Sequence, residues 1–187
     1  MSKAKNDTKS KIQDVAERFI IQGGYGAFSF RDIAESVGIK SASVHYHYPT
    51  KGDLVAAVMA RYTHDFSQVL PDPCDEGLDA KDLLYGFIDG FKAKVVTQGN
   101  MSLCTMLTSD KPILPESVSH ELAIFYRLKL DWLMQVLVRL EQTSKEEALI
   151  KASQLLACLH GASLLVQGTN DPTFFDRALS DWRTVDH

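Results

Sequence analysis

The chain has 187 residues, 45% hydrophobic and 24% charged, with a formal net charge of −4. This is an ordinary globular balance, enough for one large domain or two small ones, and it argues against a chain coated in nucleic acid. The charge is uneven: residues 1–64 hold nine Lys and Arg against six Asp and Glu, and residues 65–187 hold eleven against eighteen. A basic amino-terminal module on an acidic body suits a DNA reader joined to a domain that does not touch DNA, although chance also produces differences of this size. Cys74, Cys104 and Cys158 are odd in number and widely spaced, so they form neither a disulfide framework nor a CxxC zinc site and suit a reducing cytoplasm. Residues 1–11 are polar and basic rather than a signal peptide, and no apolar run is expected to reach the roughly 20 residues of a membrane span.

In chain order, residues 1–8 read either as a frayed end or as a basic arm for phosphates. A helix follows from about Lys9 to Gln22, with Ile12, Val15, Ala16, Phe19 and Ile20 along one face and Gly23-Gly24 at its end. Ser29 is a good N-cap, with Asp32 in the first turn behind it. Phe30, Ile33, Ala34 and Val37 make the apolar stripe of a short helix, and Gly38 supplies its left-handed stop. After Ile39 and Lys40, Ser41 reads as the cap of a second helix, Ala42 to about His47, which Pro49 ends. Two short helices around a glycine turn are a helix-turn-helix, whose second helix lies in the major groove of DNA. The surface of that helix fits the role. Ser41, Ser43, His45, Tyr46 and His47 are rich in hydrogen-bonding groups, Lys40 and Lys51 flank them, and Ala42 lets the backbone approach base edges. Val44 and Tyr48, four apart, are left to face inward.

Thr50 reads as the cap of a connecting helix from about Lys51 to Val69, and Pro71-Asp72-Pro73 opens an acidic loop that runs to Asp79. The domain ranges that follow are 1–50 for the helix-turn-helix domain, 51–70 for the connecting helix and 71–187 for the body. Body helices are expected over Ala80–Gln98, Ser102–Thr108, Glu116–Glu141, from the Thr143-Ser144 cap to Gln167, and over Phe174–Arg183. With no period-two pattern anywhere, the fold class is all-α with about nine helices: an amino-terminal three-helix DNA-binding domain and a carboxy-terminal bundle for ligand sensing and dimerisation. The stretch Ala148–Val166 is apolar or small nearly all round, which suits a helix deep in a core or shared with a partner. A homodimer through the last two body helices, about 144–183, is therefore expected, with a monomer core helix as the other reading. Phe87, Phe91, Met101, Met106, Phe125 and Trp132 would line an effector cavity, with Cys104 beside them and His160 as a polar anchor; each also fits simple core packing. No GxSxG, P-loop, HExxH or GxGxxG is present, and His45 and His47 do not share a helix face. No catalytic site, metal or cofactor is expected.

Several motifs together carry a family resemblance. Gly24-Tyr25, Arg31-Asp32-Ile33-Ala34, Gly38-Ile39, Ser43 through Pro49 and Lys51-Gly52-Asp53-Leu54 resemble the DNA-binding domain of the TetR (tetracycline repressor) family, over about Lys9 to Tyr62. His45 stands where that family more often has Tyr, and Tyr48 where it more often has Phe. The resemblance implies a regulator, a repressor above all, that binds a palindromic operator as a dimer and is released by a small-molecule or electrophile effector. It implies that Ser41, Ala42, Ser43 and His45 lie near bases, that Lys40, Tyr46, His47 and Lys51 meet phosphates, and that Ser29 and Arg31 sit beside the backbone. Cys104 falls where some members sense electrophiles, and a small buried residue is the plainer reading. A helical interaction module or small-molecule carrier without DNA binding is the alternative.

Overall fold

A computed structural model describes residues 2–183, with side chains from Asp7 onward. Ten α-helices occur among them, and no strand. They are α1 (Ser2–Gly23), α2 (Phe30–Val37), α3 (Ser41–His47), α4 (Lys51–Val69), α5 (Ala80–Lys92), α6 (Leu103–Ser109), α7 (Glu116–Glu141), α8 (Lys145–Thr169), α9 (Thr173–Ala178) and α10 (Ser180–Arg183). Short 3-10 turns span Tyr25–Ala27 and Lys111–Ile113.

Most expected boundaries coincide with these, and the departures have local causes. Residues 2–8 of the expected arm are helical, continuous with α1, while Met1 lies outside the described residues. Ser41 is the first residue of α3 rather than its cap. Lys40 takes the cap position with no side-chain cap bond, its carbonyl accepting from Ser43 N at 2.8 Å. Beyond Lys92, α5 widens into a π-helical turn over Ala93–Thr97. The last expected helix is two, because Leu179 leaves helical geometry between Ala178 and Ser180.

The chain forms two compact units, and they follow packing rather than chain order. One takes in the chain up to Ser67 together with Ser102–Phe125; the other takes in Gln68–Met101 and the chain from Tyr126 onward. These units group the chain differently from the expected ranges, with residues 102–125 falling beside the amino-terminal helices. Leu103, Leu107, Val118 and Leu122 of that segment are buried because they share the first unit's core.

In the first unit, Ile12, Ala16 and Ile20 of α1, Ile33 of α2, Val44 of α3, and Leu54, Val55 and Val58 of α4 are buried. Arg61 ties α4 to α1 through Asp14 (2.7 Å) and Glu17 (2.9 Å). Tyr62 and Phe66 both lie against the Phe125 ring, at 5.2 Å each.

In the second unit, α5, the later half of α7, α8 and α9 share a core in which Phe87 stacks on Trp132 at 5.3 Å. The loop after α4 is pinned to α7, with Trp132 Nε1 donating to Pro71 O at 2.8 Å and Arg139 donating to Pro73 O and Leu78 O. Lys145–Thr169 is long and apolar enough to cross a membrane by length and composition alone, which corrects the expectation that no run reaches that size. It nonetheless buries Ala148, Ala152, Leu155, Leu156, Leu159 and Ala162 inside the unit, as a core helix does.

Ile33 is wholly buried at the centre of the three-helix core. Ile33→Ala is expected to lower unfolding stability by about 2–5 kcal/mol, measured by chemical denaturation.

Candidate nucleic-acid interface

The site is built by local signals. Ser29 caps α2 in a capping box: its hydroxyl accepts from Asp32 N, and Asp32 Oδ2 accepts from the Ser29 N–H and hydroxyl, both at 2.7 Å. Those hydrogen bonds, the hydroxyl's foremost, hold the Asp32 carboxyl below its ordinary value. Gly38 ends the helix with φ 75° and ψ 37°, and Ile39 N reaches back to Ala34 O at 2.9 Å. That left-handed residue turns the chain sharply enough to start α3 three residues later, at Ser41.

The seven residues of α3 divide cleanly between two faces. Val44 is fully buried, as is Tyr48 just beyond the helix, while Ala42, His45 and Tyr46 are exposed and Ser41, Ser43 and His47 are half-buried. Tyr46 stands out at 71% exposure, the most exposed aromatic of the described residues. His45 sits edge-on to Phe30 of α2, ring centres 4.7 Å apart, and His47 edge-on to Tyr46 at 5.4 Å.

A hollow of about 410 Å³ brings Lys40, Ala42, Ser43, Tyr46 and His47 together with Thr8 and Ile39. Thr8 was hidden from sequence reasoning because its stretch reads as a frayed end; the helical continuity of α1 is what places it here. Ser29 and Arg31 lie exposed at the start of α2. Lys51 points elsewhere. It donates to Phe28 O and lies over the rings of Phe28 (4.2 Å) and Tyr25 (4.8 Å). Burial lowers its pKa, against the raising charges of Asp32 and Asp110.

The expected effector residues separate into two groups. Cys104, Met106 and Phe125 belong to the first unit, and Phe87, Phe91, Met101, Trp132 and His160 to the second. In the second, Phe87, Phe91, Trp132 and His160 form one ring cluster, with Phe87 to Phe91 at 5.5 Å and Phe91 to His160 at 5.3 Å. Sequence reasoning missed Lys129, only 2% exposed, whose ammonium lies 4.7 Å over the Phe91 ring. The signal was present, since Lys129 occupies the apolar stripe of Leu122, Phe125, Trp132 and Val136 on α7. Burial above all, and then the Lys129 charge, push the His160 pKa down to about 4. Cys104 is wholly buried, its Sγ 3.1 Å from Ser102 Oγ. Among the described residues, no three His, Cys, Asp or Glu side chains gather as a metal site.

A capped helix, a glycine turn and a short helix with a buried pair and a polar outer face define a helix-turn-helix protein of the DNA-binding class. The family model for bacterial regulatory proteins of the tetR family matches residues 12–58. A solved TetR transcriptional regulator from Legionella pneumophila is 34% identical, with 91% of this chain and 92% of that one covered and a TM-score of 0.82. A TetR-family regulator from Agrobacterium tumefaciens is 28% identical over 96% of this chain and 97% of its own, with a TM-score of 0.86. The HTH-type transcriptional repressor KstR2 of Rhodococcus jostii is 25% identical over 84 residues, and the chain spans only 41% of that repressor's length. The chain belongs to the TetR family of bacterial transcriptional regulators.

His160 gives a pH test of the second unit's interior. An unfolded histidine takes its proton near 6.5, which native His160 refuses down to about 4. The folded state is therefore expected to lose stability as pH falls from 6.5 to 4, by an amount on the order of 3 kcal/mol from this group. Denaturation curves of His160→Leu across that window should show a correspondingly shallower slope.

Proposed function

We propose that the protein is a ligand-responsive transcriptional repressor of the cytoplasm, binding a palindromic operator as a homodimer. The observation that carries this is the outer face of α3, held by the buried Val44 and Tyr48, with Ala42, His45 and Tyr46 outward and Ser43 half-buried. A helix so poor in exposed apolar surface and so rich in donors suits base edges and phosphates better than a protein partner, which disfavours an interaction module or carrier. In this reading Ser41, Ala42, Ser43 and His45 approach bases, Lys40, Tyr46 and His47 meet phosphates, and Ser29 and Arg31 lie beside the backbone. Lys51 joins the phosphate contacts only by leaving the Phe28 carbonyl.

Dimerisation is supported by the outer face of α8. Leu149, Ile150, Leu164 and Leu165 are between 42% and 59% exposed, flanking the small residues Ala157 and Gly161. Beside them a shallow groove of about 300 Å³ is lined by Tyr126, Leu130, Ser153, Leu156, Ala157 and His160. A two-fold pairing through α8, with α9 and α10 beside it, would cover this face and set two reading helices against successive major grooves. An effector held in the body would then bias that spacing, and effector and operator would weaken each other's binding reciprocally.

Selection from random duplex DNA at two salt concentrations, using protein refolded to strip ligand, is expected to enrich a palindrome bound with a steep salt dependence. No enrichment from stripped protein sinks the reading. On the selected site, His45→Ala is expected to cost about 1–3 kcal/mol and relax preference at one base pair. Lys40→Ala should weaken all duplexes alike and reduce the salt slope by about one. Competition binding against single-base variants of the site separates the two.

A further inference from the structure

Asp110 lies far along the chain from the helix-turn-helix, at the carboxy-terminal cap of α6, yet its side chain reaches the turn that leads into α2. Asp110 Oδ2 accepts the Tyr25 N–H at 2.5 Å. The approach is possible only because residue 24 is glycine. Gly24 has φ 79° and ψ −167°, a conformation essentially reserved for glycine, and a Cβ there would collide with Asp110 Oδ2. The turn so held, Tyr25–Ala27, runs directly into Phe28 and the Ser29 cap.

The same segment makes a second contact. Pro115 lies so close to Gly52 that a Cβ on that glycine would stand 3.0 Å from the proline ring. Next to Gly52, Lys51 donates to Phe28 O and covers the Tyr25 and Phe28 rings. Residues 110–115 therefore bear on the joint between α1 and α2 and on the first turn of α4, the chain's entry to and exit from the helix-turn-helix. One is held by a carboxylate and the other by a proline ring, and both contacts depend on a missing side chain.

We infer that Asp110 is a positioning residue of the DNA reader, acting through the Gly24–Ala27 turn to fix the Ser29 cap and the Phe30–His45 ring pair that orients the outer face of α3. The inference rests on the DNA-binding reading above. Because Asp110 ends α6, its carboxylate ties that helix to the chain's entry into the reader.

The test uses the full-length protein and four variants: Asp110→Ala, Asp110→Asn, Gly24→Ala and the double variant Gly24→Ala/Asp110→Ala. Three quantities are read: hydrogen exchange at the Tyr25 amide, which needs no DNA; affinity for the selected operator against random duplex; and thermal unfolding. Asp110→Ala is expected to speed Tyr25 exchange at least tenfold and to weaken operator binding at least tenfold, with random-duplex binding within twofold of the parent. Asp110→Asn keeps an acceptor oxygen and should recover most of both losses. Gly24→Ala should be more damaging alone than in the Asp110→Ala background, because the collision is with that carboxylate and only the backbone strain remains once it is gone. Faster Tyr25 exchange with unchanged operator affinity overturns the proposal and leaves the DNA reading standing. So does a loss shared equally by operator and random duplex and accounted for by a lower unfolding temperature. Parent protein that binds no duplex at all sinks the DNA reading, and the positioning role with it. The Tyr25 exchange then reports only whether the carboxylate contact exists.

Discussion

A seven-residue helix cannot hold its own shape, because two turns do not repay the cost of nucleation. Everything that α3 offers on its outside is therefore supplied by what it buries. Val44 and Tyr48 sit four residues apart and nearly solvent-free, the one near the middle of the helix and the other at its end. Ile33 and Ala34 of α2, Leu54, Val55 and Val58 of α4 and the α1 stripe complete the core around them. The arrangement leaves α3 almost no freedom to rotate, since any turn about its axis would expose Val44 or bury His45. Rigidity is what base recognition needs, because a hydrogen bond to a base edge discriminates only if its donor is already aimed.

The constraint extends beyond the three-helix module. The first unit includes α6 and the start of α7, so the reader's core is built from two separated stretches of chain. Arg61 fastens α4 to α1 by two ion pairs on half-exposed groups, which contribute little individually but set the register of the two helices. The glycines at 24 and 52 then let residues 110–115 come within contact of the backbone at both joints. A helix-turn-helix embedded this way responds to its surroundings as one body, and that is a requirement for any control exerted from outside it.

What was legible in the sequence was whatever is decided within a few residues. The Ser29 and Ser144 caps, the Gly38 turn and the start of α7 after Pro115 are all short-range events, and residue type alone announces them. The unread features are set by partners distant in the chain. Nothing near Asp110 signals that its carboxylate meets Tyr25, eighty-five positions away. Nothing near Leu103 signals that α6 packs with the amino-terminal unit. The expected effector residues are alike in type but lie in both units, and only tertiary packing sorts Cys104, Met106 and Phe125 from the Phe87, Phe91, Trp132 and His160 cluster. The division of Phe174–Arg183 at Leu179 escaped for a milder reason, since Leu179 is itself buried and apolar and interrupts the backbone without interrupting the stripe.

Lys129 and His160 show how one apolar interior treats two basic groups differently. Both lie against Phe91 and Tyr126, so they share a low-dielectric neighbourhood in which two like charges would repel strongly. The lysine charge is accommodated by the faces of those rings, which attract cations. The imidazole meets Phe91 edge-on at 89° and remains neutral down to about pH 4, because burial penalises its charged form and the lysine adds to that penalty. His160 therefore adds no second charge beside Lys129 over the range in which free histidine titrates. Tyr126 and His160 are also the two rings that line the groove beside the outer face of α8. The same two rings thus border both the Lys129 neighbourhood and the apolar surface proposed for self-association.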